Sequence, residues 1–101
     1  MGVEDRRQHP RIDCRYPAFV FGPRGPIHGL CTNLSVGGLF LEGVVLPFDP
    51  EVAIISVEFP TGRVTFQAQV RRVSDHPRGI GFQFLRLEPA HLEVLHRYAS
   101  K

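Results

Sequence analysis

The strict alternation of apolar and polar residues near the C-terminal end constrains the fold of this chain more than any other feature. From Val64 to Arg71 four apolar residues alternate with four polar ones, the apolar set being Val64, Phe66, Ala68 and Val70. The run from Ile80 to Leu85 repeats the pattern with Ile80, Phe82 and Phe84. A period of two residues sends successive side chains to opposite faces of a β-strand. Both segments are therefore predicted to be strands with one buried and one solvated face.

Four further segments, 16–21, 27–34, 37–41 and 52–59, have the aromatic and branched composition of strands and are separated by turn residues. After Pro89 the apolar spacing changes to three and four residues, with Leu92, Leu95 and Tyr98 or Ala99 on one stripe, which predicts a helix over residues 88–100. Six short strands and one terminal helix predict an all-β fold, a small six-stranded antiparallel barrel. Most of the eight phenylalanines fall on strand patterns and are interpreted as core residues.

The length of 101 residues predicts a single domain over 1–101, with a polar arm at 1–11, a barrel at 15–85 and the helix at 88–100. The chain has no stretch of 18 apolar residues and no signal-peptide region, so we expect no membrane insertion and a cytoplasmic location. A net charge of +2 is too weak to indicate a nucleic-acid polymer as a partner. Neither the two cysteines nor the histidines have metal-ligand spacing, and no nucleophile motif or phosphate loop occurs. We therefore predict no catalytic residue, no metal site and no cofactor, and a protein that is not an enzyme.

The N-terminal arm carries the first candidate binding residues, Arg6, Arg7 and Arg11. Arginine makes planar, bidentate contacts with phosphates and with guanine edges. In an extended chain Arg7 and Arg11 point to the same side, about 13 Å apart at roughly 3.3 Å per residue. They could grip a ligand with two separated phosphates, or the arm could curve around its ligand. The alternative is a solvated N-terminus without a binding role.

The segment Asn33-Leu34-Ser35-Val36-Gly37-Gly38 is the second candidate. Asn and Ser side chains set tight turns by bonding to nearby backbone groups. Gly37 and Gly38 would let a ligand approach the backbone, and their exposed N–H groups could bind an anion as a nest. The alternative is a plain β-turn between two strands.

Taken together, Arg7-xxx-Arg11 and Asn33-x-Ser35-xx-Gly38 resemble the two motifs of the PilZ domain family. The later segments Ala68 to Val73 and Gly79 to Phe84 look like the last barrel strands of that family, and the leucine-bearing terminal helix also fits. The resemblance covers about residues 5–100. It implies a six-stranded antiparallel barrel that acts as a bacterial receptor for cyclic di-GMP.

Carried over residue by residue, the resemblance implies that Arg7 and Arg11 hold phosphates and guanine edges. Asn33 and Ser35 would contact the other side of the ligand, with Gly37 and Gly38 in the same turn. An arginine just before the first motif, here Arg6, tends in such domains to accompany two stacked, intercalated ligand molecules. Many relatives stack a large side chain, often Trp, on guanine near the end of the fifth strand. This chain has no Trp, and Arg72 is the nearest candidate, its alternative being a solvated strand end.

The sequence thus favours a cyclic di-GMP receptor that signals to an unidentified protein effector. One alternative is a PilZ-fold protein-interaction module that binds no nucleotide, although this chain keeps both motifs. Another is a small barrel for single-stranded nucleic acid, which the weak net charge disfavours. The partner and the pathway are not encoded in any motif of the chain.

Overall fold

The computed structural model describes residues 10–99, and these form a closed six-stranded antiparallel barrel followed by one helix, as predicted. The strands run around the barrel in the order β1-β2-β3-β6-β5-β4, and β1 pairs with β4 to close it. The elements are β1 (Ile12–Gly22), β2 (Gly25–Leu34), β3 (Gly38–Glu42), β4 (Ala53–Phe59), β5 (Gly62–Asp75), β6 (Arg78–Arg86) and α1 (Pro89–Tyr98).

The alternating residues of the sequence supply the core. Phe66 and Ala68 of β5 are fully buried, and Phe82 and Phe84 of β6 are nearly so. Phe66 stacks on Phe84 with ring centroids 4.6 Å apart. Because these residues alternate with exposed Thr65, Gln67 and Gln83, the two strands keep one wet face outside the barrel.

Tight turns connect the hairpins at the glycine positions that the sequence indicates. Gly25 and Gly62 open β2 and β5 with φ of 123° and 139°, a backbone conformation that side chains with a Cβ rarely adopt. β1 and β5 extend beyond the segments expected from the pattern, to 11 and 14 residues. The longest connection between strands, residues 43–52, joins β3 to β4.

Helix α1 packs its apolar stripe on the barrel. Leu95 is fully buried and Ala99 nearly so, while Tyr98 stacks on Phe59 at 5.0 Å and donates to the Thr61 hydroxyl. His91 adds a link that the sequence did not indicate. Its Nδ1 accepts from the Glu88 N–H at 2.9 Å, so the proton lies on Nε2, which donates to the Thr65 carbonyl at 2.8 Å. The imidazole therefore joins the start of α1 to β5.

The interpretation of phenylalanine as core is wrong for residues on the outer face. Phe21 is 50% exposed, and Phe19 packs edge-on against it. Phe40 is also outside the core cluster, for a reason that concerns the site below. Within residues 10–99, no helix has the length and apolar character needed to cross a membrane.

Candidate functional site

A cavity of about 390 Å³ lies on the outer face of the barrel, where β2, β3, β5 and β6 run side by side. Six of the eight predicted site residues line it, although they come from three separate segments of the chain. They are Arg11, Asn33, Ser35, Gly37, Gly38 and Arg72. The other two, Arg6 and Arg7, lie outside the described residues. The remaining lining residues are Leu39, Phe40, Arg71, Gly81, Phe82 and Gln83.

A register shift in β2 turns Asn33 toward this cavity. Cys31 pairs with Leu41 of β3, but Asn33 pairs with the adjacent Phe40. In a regular strand residues 31 and 33 would share a face, whereas Leu41 and Phe40 must lie on opposite faces. The extra residue between the pairs, Thr32, therefore moves Asn33 from the core side to the outer side, next to the Phe40 ring. Bulges commonly re-aim side chains in this way.

A second shift does the same for arginine on β5. Val70 pairs with Phe82 and Arg72 with the adjacent Gly81, so Arg71 is an extra residue without a direct partner on β6. Consecutive strand residues normally point to opposite faces, yet both arginines line the cavity. The Arg72 guanidinium lies over the ring of Phe40, with its Cζ 5.9 Å from the ring centroid.

The side chain of Ser35 holds the turn that borders the cavity. Its Oγ accepts from the N–H groups of Gly37 and Gly38 at 3.1 and 3.2 Å, and its backbone N–H donates to the Gly38 carbonyl at 2.9 Å. Ser35 is only 8% exposed. The hypothesis of an anion nest at the two glycines is wrong for this state, because both N–H groups already have an acceptor.

Glycines let β6 and β3 approach closely beneath the cavity. A Cβ on Gly38 would overlap the backbone carbonyl of Phe82 on the neighbouring strand. A Cβ on Gly79 would lie 2.7 Å from the Phe40 ring, which is too close. The ring can therefore lie against β6 only because residue 79 is a glycine. Phe40 is therefore only 7% exposed, although its ring lies on the outer face of the barrel. The ring is an apolar floor at one end of the cavity.

The cavity is cationic. Three arginines line it: Arg11, Arg71 and Arg72. Among the described residues, 10–99, no aspartate or glutamate lines the cavity. Arg11 and Asn33 line the cavity from the side of β1 and β2, and the two arginines line it from β5, with β3 and β6 between them. Donors in this arrangement suit an anion that also carries flat rings. In the same part of the chain, no group of three or more His, Cys, Asp or Glu side chains could hold a metal ion.

Sequence reasoning missed Arg71 and Phe40. The alternation of β5 predicts that Arg71 lies on the solvated face and that Arg72 lies on the other. The bulge that brings Arg72 to the same face arises from the pairing of β5 with β6, which the sequence of β5 alone does not reveal. For Phe40 a signal was present. It lies between Leu39 and Leu41, which are both buried in the core, so a strand period of two residues places its ring outside.

The family model for the PilZ domain matches residues 5–101 of this chain. The chain belongs to the PilZ domain family. The match includes the arm residues Arg6 and Arg7 as well as the whole barrel and helix. No protein with a curated function matches the chain by sequence.

Solved PilZ structures share the fold. The PilZ domain of YcgR from Escherichia coli, solved with c-di-GMP, superposes with a TM-score of 0.74 at 19% identity, covering 93% of this chain and 88% of that one. The inhibitor of motility MotI (DgrA) from Bacillus subtilis has a TM-score of 0.76 at 19% identity over 93% of this chain. The PilZ domain of CeSA from a cellulose-synthesising bacterium has a TM-score of 0.65 at 21% identity, covering 89% of this chain and 94% of that one. The chain spans only 49% of MotI, so the likeness extends to one part of that protein.

Proposed function

We propose that this PilZ domain is a non-enzymatic, cytoplasmic receptor for cyclic di-GMP, and that it passes the binding event to a protein effector. The proposal rests on one observation, that residues distant in the sequence line the same cavity. Residues from the start of β1, the end of β2, the turn before β3 and the bulge of β5 meet in one cavity, as the two motifs of the sequence require. At about 390 Å³ the cavity is of the size that small ligands occupy.

The chemistry of the ligand matches the lining. Cyclic di-GMP has two phosphates and two guanines, and a guanidinium can donate in bidentate fashion to phosphate oxygens or to guanine O6 and N7. Arg11, Arg71 and Arg72 supply three such groups. The Arg72 guanidinium lies over the Phe40 ring, and a guanidinium can also stack on a guanine. The Asn33 side chain can donate to and accept from a base edge.

The arm completes the proposed site. Arg11 stands at the entrance of β1 and lines the cavity, so Arg7, four residues earlier in the motif, can reach the same ligand from the arm. We assign Arg6 to a second, intercalated ligand molecule. Binding would then hold residues 1–11 against the barrel and alter the surface that the effector meets. The relatives support the class of ligand and not the roles of individual residues. The structures of the YcgR PilZ domain and of YcgR contain c-di-GMP.

Calorimetric titration with cyclic di-GMP tests the proposal directly. Arg11→Ala should weaken binding roughly tenfold or more, because a charge-assisted contact contributes about 1.5–3 kcal/mol. Asn33→Ala should weaken it by roughly two- to tenfold, because a neutral hydrogen bond contributes about 0.5–1.5 kcal/mol. Arg24→Ala is the matched control, since Arg24 is exposed in the β1–β2 turn, at the far end of β1 from Arg11, and does not line the cavity. GTP serves as the control ligand for unspecific attraction of phosphate.

The outcomes separate the receptor from its alternatives. Binding that Arg24→Ala preserves and the two cavity variants weaken supports the receptor. No heat from a sample with a folded amide spectrum would overturn it and leave a protein-interaction module without a nucleotide. Equal binding of GTP would mean a general anion site. Two ligand molecules per chain, reduced to one by Arg6→Ala, would support the intercalated pair.

A further inference from the structure

Two cysteines lie side by side on the neighbouring strands β1 and β2, close in sequence to the cavity residues Arg11 and Asn33. The Sγ atoms of Cys14 on β1 and Cys31 on β2 are 3.7 Å apart. Cys31 is fully buried, whereas Cys14 is partly exposed, and neither is in a disulfide. The strand register shifts between Asp13 and Tyr16, next to Cys14, and Tyr16 is the direct partner of Cys31. The irregularity brings Cys14 to its neighbour on the same inner face.

The pair is linked to the site through the backbone. The Cys31 thiol donates to the carbonyl of Asn33 at 3.6 Å, and the Cys14 thiol donates to the carbonyl of Cys31 at 3.3 Å. Arg11 lies three residues before Cys14, immediately before the start of β1. A change at the two sulfurs therefore acts on the segments that carry Arg11 and Asn33, although neither sulfur lines the cavity.

The two thiols are chemically unequal. The side-chain hydrogen bond between the two sulfurs, in which either thiol can be the donor, lowers the pKa of Cys14 below its ordinary value, although partial burial and the charge of Asp13 oppose that shift. The same hydrogen bond, together with burial, raises the pKa of Cys31. A thiolate is the reactive form of cysteine, and the more exposed Cys14 is the residue that gains it.

We propose that Cys14 and Cys31 are a redox-sensitive pair that a hydroperoxide converts into an intrachain disulfide, and that this disulfide weakens ligand binding in the adjacent cavity. Formation of the disulfide is independent of the proposed function. Its effect on affinity rests on that function, because it presupposes that cyclic di-GMP binds between Arg11 and Asn33.

The reaction balances in two steps. With hydrogen peroxide as the hydroperoxide, the Cys14 thiolate attacks one oxygen, so that an S–O bond forms, the O–O bond breaks and the released hydroxide takes the proton that Cys14 had lost to become water. Cys31 then attacks the sulfur of the Cys14 sulfenic acid. An S–S bond forms, the S–O bond breaks, and the departing hydroxide combines with the Cys31 proton as a second water. Two thiols are oxidised and one peroxide is reduced.

The disulfide requires the strands to move. A disulfide is about 2.05 Å long, so the sulfurs must approach from their present 3.7 Å. Both thiol protons are lost, and with them the hydrogen bonds to the carbonyls of Cys31 and Asn33. The start of β1 and the end of β2 are drawn together at the point where Arg11 and Asn33 must be correctly spaced. We expect affinity to fall roughly tenfold, the equivalent of one lost charge-assisted contact.

The covalent step is tested on the reduced protein treated with hydrogen peroxide. The expected product is a monomer that has lost two thiols and two hydrogens, with Cys14 joined to Cys31 in the peptide map, and that dithiothreitol restores. Cys14→Ala should form no crosslink, and because Cys14 is partly exposed this variant is expected to fold. Oxidation of Cys14 to a sulfinic acid without a crosslink, or crosslinks only between chains, would overturn the proposal.

The link to the cavity is tested by two readouts. The amide NMR signals of Asn33 and Arg11 should shift between the reduced and the oxidised protein, and cyclic di-GMP affinity should fall in wild type but not in Cys14→Ala. A crosslink that leaves both signals and the affinity unchanged would overturn the control of the site. If the reduced protein binds no cyclic di-GMP, the receptor proposal fails. The thiol pair is then judged by the crosslink and the amide shifts alone.

Discussion

At the scale of single residues, the two polar members of the second motif have different tasks. Ser35 is nearly buried and directs its hydroxyl into the turn, where it accepts from two backbone N–H groups. Asn33 is only half-buried and lines the cavity. The motif therefore combines one residue that shapes the turn with one that is available to a ligand.

This division predicts a split between stability and binding. Ser35→Ala leaves two backbone N–H groups without their acceptor, and it should lower the free energy of unfolding by about 1–3 kcal/mol. Asn33→Ala should leave that free energy nearly unchanged while weakening cyclic di-GMP binding. Urea denaturation and calorimetry on both variants make the comparison. A Ser35→Ala protein of normal stability that has lost binding would show instead that the hydroxyl contacts the ligand.

At the scale of elements, irregular pairing places the functional side chains. The bulge at Thr32 turns Asn33 toward the outer face of the barrel. The bulge at Arg71 allows two consecutive arginines to lie on the same face of β5. Both irregularities occur on strands that border the cavity, whereas β4 and β5 pair in regular register from Ala53 to Phe59. Further register shifts occur on β1 and on β5 at residues that do not line the cavity, so irregular pairing is not confined to the site, but the shifts at Thr32 and Arg71 are the ones that place its side chains.

The β5 bulge predicts that both of its arginines contribute to binding. Arg71→Ala and Arg72→Ala should each weaken cyclic di-GMP binding by roughly tenfold, as expected for a charge-assisted contact. Arg63→Ala is the control on the same strand, because Arg63 is ion-paired with Glu58 at 2.6 Å and does not line the cavity. If Arg71→Ala binds like wild type, the extra residue of the bulge serves only to re-aim Arg72.

Helix α1 predicts a stability effect without a binding effect. Leu95 is fully buried against the barrel, so Leu95→Ala should lower the free energy of unfolding by about 2–5 kcal/mol through lost burial and a cavity. Glu93→Ala, an exposed change on the same helix, should alter it by less than about 0.5 kcal/mol. Thermal melts followed by circular dichroism give both values. Equal, small effects would mean that the barrel is stable without the docked helix.

At the scale of the whole molecule, positive charge is concentrated at the cavity although the net charge is small. The net charge is only +2, with 12 basic and 10 acidic residues, yet three arginines and no carboxylate line the cavity. The field that an anionic ligand meets therefore depends on the distribution of charge and not on its sum. The pairing of β3 with β6 fixes this distribution, because it places β2 and β5 on either side of those two strands.

The local charge predicts that ligand affinity depends on salt. Raising sodium chloride from about 0.05 to 0.5 M shortens the Debye length well below 10 Å and should weaken cyclic di-GMP binding several-fold. The melting temperature of the unliganded protein, which rests on the apolar core, should change little. Titrations at four salt concentrations measure the slope. Affinity that is independent of salt would indicate that base stacking, and not the guanidinium groups, dominates binding.

Much of the architecture could be predicted because it follows from local patterns. The alternation from Val64 to Val70 and from Ile80 to Phe84 identified two strands with a defined inner face, and glycine and proline clusters marked the turns. The change of period after Pro89 identified the helix, which the structure describes as Pro89–Tyr98. These features depend on residues adjacent in sequence, whose geometry the backbone itself dictates.

The candidate site was predicted in composition but not in geometry. Six residues chosen from the two motifs and from β5 line one cavity, while Arg6 and Arg7 fall outside the described residues, so their part in the site remains a prediction. The direction of Asn33 and Arg72 depends on bulges, and a bulge is a relation between two strands. A count along one strand assigns the wrong face after the extra residue.

The sequence by itself determined the strand pattern, the turns, the terminal helix and the membership of a family, because each is written in the order and spacing of neighbouring residues. Only the tertiary structure decided that Phe40 faces outward beneath Arg72, that Arg71 joins the cavity, and that Cys14 and Cys31 lie 3.7 Å apart. The two pairs, Cys14 with Cys31 and Phe40 with Arg72, are 17 and 32 positions apart in the chain. Strand order and strand register bring such residues together, and neither is a local property of the chain.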